Sequence, residues 1–172
     1  SGTTVVNWSD NPLPREFSDY NGAIFTPTYV NGSVTGSNGP MPKVTIANLA
    51  NVEAGPVSIP VHAVNIVNMG SFQFSIEYNP ALLIYTGTSN WYSGINTVIV
   101  GNPSPGHLTF VWTADLNGVN ITDGTFFNLN FNYISGTTVV TWSDNSTPRE
   151  FADYNGIIFF PTYVNGSISG NT

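Results

Sequence analysis

Apolar and polar residues alternate with a period of two along most of this chain, and the alternation predicts strands, not helices. The segments VSIPVHAVNI (57 to 66), SFQFSIEY (71 to 78), LLIYTGTS (82 to 89), NTVIVGN (96 to 102), HLTFVWTAD (107 to 115), TFFNLNFNYI (125 to 134) and TTVVTWSD (137 to 144) all show it. Turn signals such as YNPA, GNPSPG, LNGVN and TDGT separate them. The clearest case sets Phe127, Leu129, Phe131 and Tyr133 on one face and Phe126 with three asparagines on the other, the pattern of a half-solvated antiparallel sheet. Apart from a turn near NPALL, no window of helical period is free of Gly and Pro. Seven to nine such strands in about 130 residues predict a β-sandwich.

A second pattern sets the domain organisation. Residues 1 to 38 align without a gap onto residues 135 to 172, with 28 of 38 positions identical. The offset, 134 residues, is itself the size of a domain. The expected division is therefore residues 1–38 as the C-terminal strands of a preceding repeat, 39–42 as linker within the Gly- and Pro-rich stretch GSNGPMPK, and 43–172 as one complete repeat.

Composition narrows the function. Hydrophobic residues make up 41% of the chain, enough for a core, while only 8% are charged. Three basic residues face ten acidic ones for a net charge of −7, so there is no cationic surface for nucleic acid or anionic membrane. No run reaches the roughly 18 apolar residues of a spanning helix, so this segment is not expected to insert in a membrane. With no cysteine and a surface of Thr, Asn, Ser and Gly, the chain suits an extracellular or cell-surface location.

With the strands in place, a resemblance emerges. VSIPVHAVNIVNMGSFQFSIEYNPALLIYTG is similar to the first half of a cohesin module, with an IPV strand leading to an F.F.I.Y.P..L strand and turn. LTFVWTADLNGVNITDGTFFNLNFNY and the later NGSI resemble its second half. The likeness covers residues 43 to 172 and implies an all-β, antiparallel, jelly-roll sandwich of about nine strands with a non-catalytic role. Cellulosomal cohesins bind dockerins, so a dockerin-like protein is one partner the resemblance implies.

Several constellations invite chemistry. The two copies of WSDN...PREF.DYNG gather hard oxygen ligands of the kind Ca²⁺ takes, namely Asp144, Glu150, Asp153 and Asn155, repeated as Asp10, Glu16, Asp19 and Asn21. The alternative is that Asp and Asn cap their own turns while Arg149 and Arg15 pair with a nearby carboxylate. No cofactor is required, and Ca²⁺ is the one candidate. Trp91 and Tyr92, in the polar stretch TSNWYSGIN, form either an aromatic platform for a polysaccharide or a hydrophobic plug. Trp112 is expected in the core, and Trp8 and Trp142, at equivalent repeat positions, in packing roles. Sequons occur at Asn7, Asn31, Asn120, Asn145 and Asn165.

Catalysis finds no support. His62 and His107 are isolated within strands, Asp115 and Asp123 flank a turn they would cap, and no GxSxG elbow or phosphate loop is present. The expectation is a non-enzyme.

The duplicated segment carries the assembly expectation. Thirty-eight residues cannot bury Val5, Val6, Trp8, Phe17, Tyr20, Ile24, Phe25 and Tyr29 by themselves, so this assembly strand needs a partner: an adjacent repeat, or another copy completed by strand addition. The resulting expectation is an extracellular structural repeat that builds a stalk, adhesin or filament. The alternative is a binding module, for a dockerin-like protein or for carbohydrate.

Overall fold

One strand organises the larger part of the protein. In the computed structural model, which describes residues 3–10, 13–35 and 40–171, Gly55–Tyr78 forms a single strand of 24 residues that serves two layers in turn. The chain divides into two compact units, Ser1–Gly39 and Pro40–Thr172. The larger unit contains β5 (Lys43–Ile46), β6 (Asn48–Val52), β7 (Gly55–Tyr78), β8 (Leu83–Ser89), β9 (Ile99–Ser104), β10 (His107–Thr113), β11 (Val119–Tyr133), β12 (Thr137–Ser143), β13 (Glu150–Asp153), β14 (Ile158–Phe159), β15 (Thr162–Val164) and β16 (Gly166–Gly170). In the smaller unit, β1 (Thr3–Val6) pairs with β4 (Gly32–Thr35), and β2 (Phe17–Ser18) with β3 (Ile24–Phe25). No helix occurs among the described residues.

The first half of β7 pairs with β5 and β11, and β11 pairs in turn with β8. Its second half pairs with β10, β12 and β13, and β10 with β9. Between the halves, Asn65 and Asn68 take positive φ (56° and 52°), and the register against β11 slips between Ile66 and Met69. These bulges turn the strand from one layer into the other. Asn tolerates the left-handed conformation better than most residues, which is why the turn falls there. Gly70 follows for another reason: a Cβ at this site would lie 2.5 Å from the Tyr154 backbone.

Alternation then fills the space between layers. Phe72, Phe74, Ile76 and Tyr78 of β7 point inward with Leu108, Phe110 and Trp112 of β10, and meet Phe127, Leu129, Phe131 and Tyr133 of β11, all buried. Phe74 stacks on Phe110 (4.9 Å between ring centroids) and on Phe127 (6.0 Å), and Tyr78 meets Phe131 edge-on at 5.0 Å. Phe126 is also buried, although strict alternation would turn it outward. The register of β11 shifts between Thr125 and Phe127, so both phenylalanines enter the core.

The C-terminal segment closes the sandwich. β12 lies on β7, β13 joins β7 further along, and β16 pairs antiparallel with β12. β15 and β16 run parallel to β5 and β6, so the last strands of the unit are knit to its first. About nine strands were expected; the larger unit has twelve segments, because β5/β6 and β15/β16 are interrupted and β13 and β14 fall in a region without period-two alternation. Conversely, the two segments expected at 57 to 66 and 71 to 78 are one continuous strand.

Candidate functional site

The outward face of the layer β9–β10–β7–β12 is the surface most suited to holding another protein. On β10, inward Leu108, Phe110 and Trp112 leave Thr109, Val111 and Thr113 pointing out. Pairing places Val111 opposite Ile99 on β9 and Gln73 on β7, and Gln73 opposite Glu150 on β13. Ile99 is 68% and Val111 40% exposed, so two branched aliphatic side chains stand adjacent on an otherwise polar sheet. Glu77 lies at one end of the face. It accepts hydrogen bonds from Ser143 Oγ (3.0 Å) and Asn145 Nδ2 (3.3 Å), and its Oε1 is 3.7 Å from Nδ1 of the buried His107. Buried Ser75 donates to the carbonyl of Asn145 at 2.8 Å and also lies 3.1 Å from that of Thr147, which ties the loop after β12 to the sheet.

The opposite layer differs. Ser58 donates to Asn130 Oδ1 (2.6 Å), whose Nδ2 donates to Ser89 Oγ (3.0 Å), and His62 pairs with Asp123 across strands at 2.9 Å. Cross-strand bonds tie these polar groups to one another, while the buried Oδ1 of Asn128 on the same face has no partner among the described residues.

The expected calcium clusters are not gathered in the way the sequence spacing suggested. Asp144 is gripped by Arg149, with Nε and Nη2 donating to its two carboxylate oxygens at 2.9 and 2.6 Å and the Arg149 amide adding a third bond at 2.9 Å. These bonds hold the Asp144 carboxyl down at about 2. Asp153 caps its own turn, accepting from the amides of Asn155 (2.8 Å) and Ile157 (2.9 Å), chiefly the latter lowering its pKa, while Asn155 turns its amide back to Asp153. Glu150 stays exposed on β13. In the smaller unit Asp10 is held by Arg15 and Asp19 caps the turn to Asn21 and Ala23, with Glu16 exposed. Among the described residues no three His, Asp or Glu side chains converge as a metal site. Turn capping and ion pairing use the oxygens instead.

Trp91 and Tyr92 are half-buried and packed on the core, not displayed as a platform. Trp91 stacks on Phe127 at 4.2 Å with an 11° to 15° tilt against Phe127 and Phe72, and its indole donates to Thr88 Oγ1 at 3.1 Å. Of the two readings of this pair, the packing is that of a hydrophobic plug. Trp112 and Trp142 are buried as expected, whereas Trp8 is exposed. Asp123 is engaged by His62. The Ile99 and Val111 pair was missed, although the phase of HLTFVWTAD already places Val111 out of step with its core neighbours.

The packed layers and their partly aliphatic outer sheet define a β-sandwich module. The sequence profile of the cohesin domain matches residues 42–168, and the chain belongs to that family. Solved cohesins share the fold. The sixth cohesin of Acetivibrio cellulolyticus scaffoldin B, in complex with a mutant Cel5 dockerin, superposes with a TM-score of 0.66 at 21% identity, covering 76% of this chain and 99% of that one. A non-cellulosomal cohesin from the hyperthermophilic archaeon Archaeoglobus fulgidus gives 0.63 at 16%, covering 77% and 92%. The solution structure of a Clostridium acetobutylicum cohesin gives 0.63 at 17%, covering 76% and 91%. A search of curated proteins returns no match.

Proposed function

We propose that this module is a non-catalytic docking domain, acting outside the cell, that binds a dockerin-like protein on the outer face of β9, β10, β7 and β12. The observation that carries the reading is the exposed Ile99 and Val111 pair, bordered by Thr109, Thr113, Gln73 and Glu150. An aliphatic centre with a polar rim matches the anatomy of protein interfaces. Glu77 and Glu150 favour a partner that brings Lys, Arg or amide donors. The scaffoldin B cohesin, solved in complex with a dockerin, supports the choice of partner class. The test is binding of immobilised dockerins to the wild-type chain and to Val111→Asp. Tight binding that the substitution weakens by about 100-fold supports the face, since a buried charge at an interface costs several kcal/mol. Undiminished binding overturns it.

The duplicated segment favours a second role, as one unit of an extracellular structural array.

A further inference from the structure

The two histidines of the chain stand in different surroundings. His62 is partly exposed and its Nε2 meets Asp123 at 2.9 Å, so its ring is engaged where it lies. His107 opens β10, and alternation places it on the outer side of the sheet with Thr109 and Val111. Its side chain is nevertheless about nine-tenths buried. The loop after β12, bonded to Ser75, lies over this end of the sheet. Both ring nitrogens of His107 are closed off from solvent, and neither has a hydrogen-bond partner among the described residues. A buried polar group in that condition is costly, so each such group calls for an explanation.

The side chain it faces is Glu77 of β7, its cross-strand partner, with Nδ1 lying 3.7 Å from Oε1. That spacing exceeds the about 3.2 Å of a hydrogen bond and falls short of the about 4.5 Å that a bridging water would impose. It is close to the spacing of two ligands on one small cation. A tetrahedral zinc ion with bonds of about 2.1 Å sets its ligand atoms about 3.4 Å apart, so the pair needs to close by only about 0.3 Å. Ser143 Oγ and Asn145 Nδ2 donate to the same Oε1 at 3.0 and 3.3 Å and hold the carboxylate toward the ring, the role that outer partners play around a metal ligand. A cavity of about 330 Å³, bordered by Pro80, Ser104 and Ser146, adjoins the pair and leaves room for water in the remaining positions.

We infer that Nδ1 of His107 and Oε1 of Glu77 are the protein ligands of a binding site for a divalent transition cation of the zinc, nickel and cobalt class. The imidazole decides the class, because Ca²⁺ takes oxygen ligands and imidazole suits the later metals. Two side chains and water hold the ion, with Nε2 keeping the ring proton. The bound cation joins the end of β7 to the start of β10 beneath the loop after β12. The site stands whether or not the outer face holds a partner.

His62→Gln leaves His107 as the one imidazole of the full-length chain, so a long-range proton–nitrogen NMR spectrum reads that ring alone. Zinc chloride added near neutral pH should move the Nδ1 resonance to that of a metal-bound nitrogen while Nε2 keeps its proton, and calcium chloride should move neither. In the same background Glu77→Gln keeps an Oε1 for the bonds from Ser143 and Asn145. It should weaken zinc binding, measured by calorimetry, by at least about tenfold, since loss of an outer partner alone costs roughly 10- to 100-fold. Coordination at Nε2, an Nδ1 resonance indifferent to excess zinc, an equal response to calcium, or an affinity unchanged by Glu77→Gln overturns the inference.

Discussion

Phe151 lies nearly parallel to Phe74, 10° between ring planes and 6.1 Å between centroids, in the part of the core that the C-terminal segment closes. Its repeat counterpart Phe17 packs against Phe25 and Tyr29 within the smaller unit. Phe151→Ala should therefore destabilise the larger unit by about 3 to 5 kcal/mol, the usual cost of emptying a buried aromatic site. Phe17→Ala should leave its melting temperature nearly unchanged. Thermal or urea denaturation of the two variants checks the contrast, and similar losses for both would contradict the burial difference.

Trp91 offers a sharper choice between packing and display. As a plug on Phe127 and Phe72 it should cost about 2 to 4 kcal/mol when replaced by alanine. Glycan-array binding, if any exists, should not depend on exposed indole at this site. A variant of wild-type stability that has lost polysaccharide binding would restore the platform reading.

The Asp144 and Arg149 pair makes an acid-sensitive contribution. The Asp144 carboxyl sits near 2 in the folded state against 3.8 for the free side chain. Its stabilisation is thus fully present above about pH 4 and is lost as pH falls toward 2. Because both side chains are partly exposed, the pair is worth only about 1 kcal/mol or less. Asp144→Asn should lower stability by that amount at pH 7 and flatten its decline between pH 4 and 2, measured by denaturation at fixed pH values.

Gly70 is expected to resist substitution. Gly70→Ala would press a methyl against the Tyr154 backbone, which cannot move without disturbing the turn that Asp153 caps. A loss of about 1 to 3 kcal/mol follows from such overpacking. Measured stability equal to wild type would show that the Tyr154 turn is free to shift.

Much of the architecture was legible because alternation is a direct imprint of a two-sided sheet. The inward sets of β10 and β11 follow from the sequence alone, and the repeat located the second copy of the closing segment. Two features escaped for identifiable reasons. The interrupted strands β13 to β16 lack a run long enough to show a period. Phe126 entered the core through a register slip that no pattern records. Trp91 was left open between platform and plug, because its stacking partner Phe127 is remote in sequence. The acidic clusters admitted two readings because carboxylates that bind a cation and carboxylates that cap turns look alike in sequence, and the structure shows Arg149 gripping Asp144.

The parallel seam between β5/β6 and β15/β16 sets how the module bears load. Its entrance at Lys43 and its exit at Gly170 lie at opposite ends of that seam, so tension applied through the flanking chain drags the strands lengthwise past each other. All of the seam's bonds are then strained together instead of opening one by one. Single-molecule stretching should find a high rupture force that drops when Gly166, packed against Ala47 and Ile46, is enlarged.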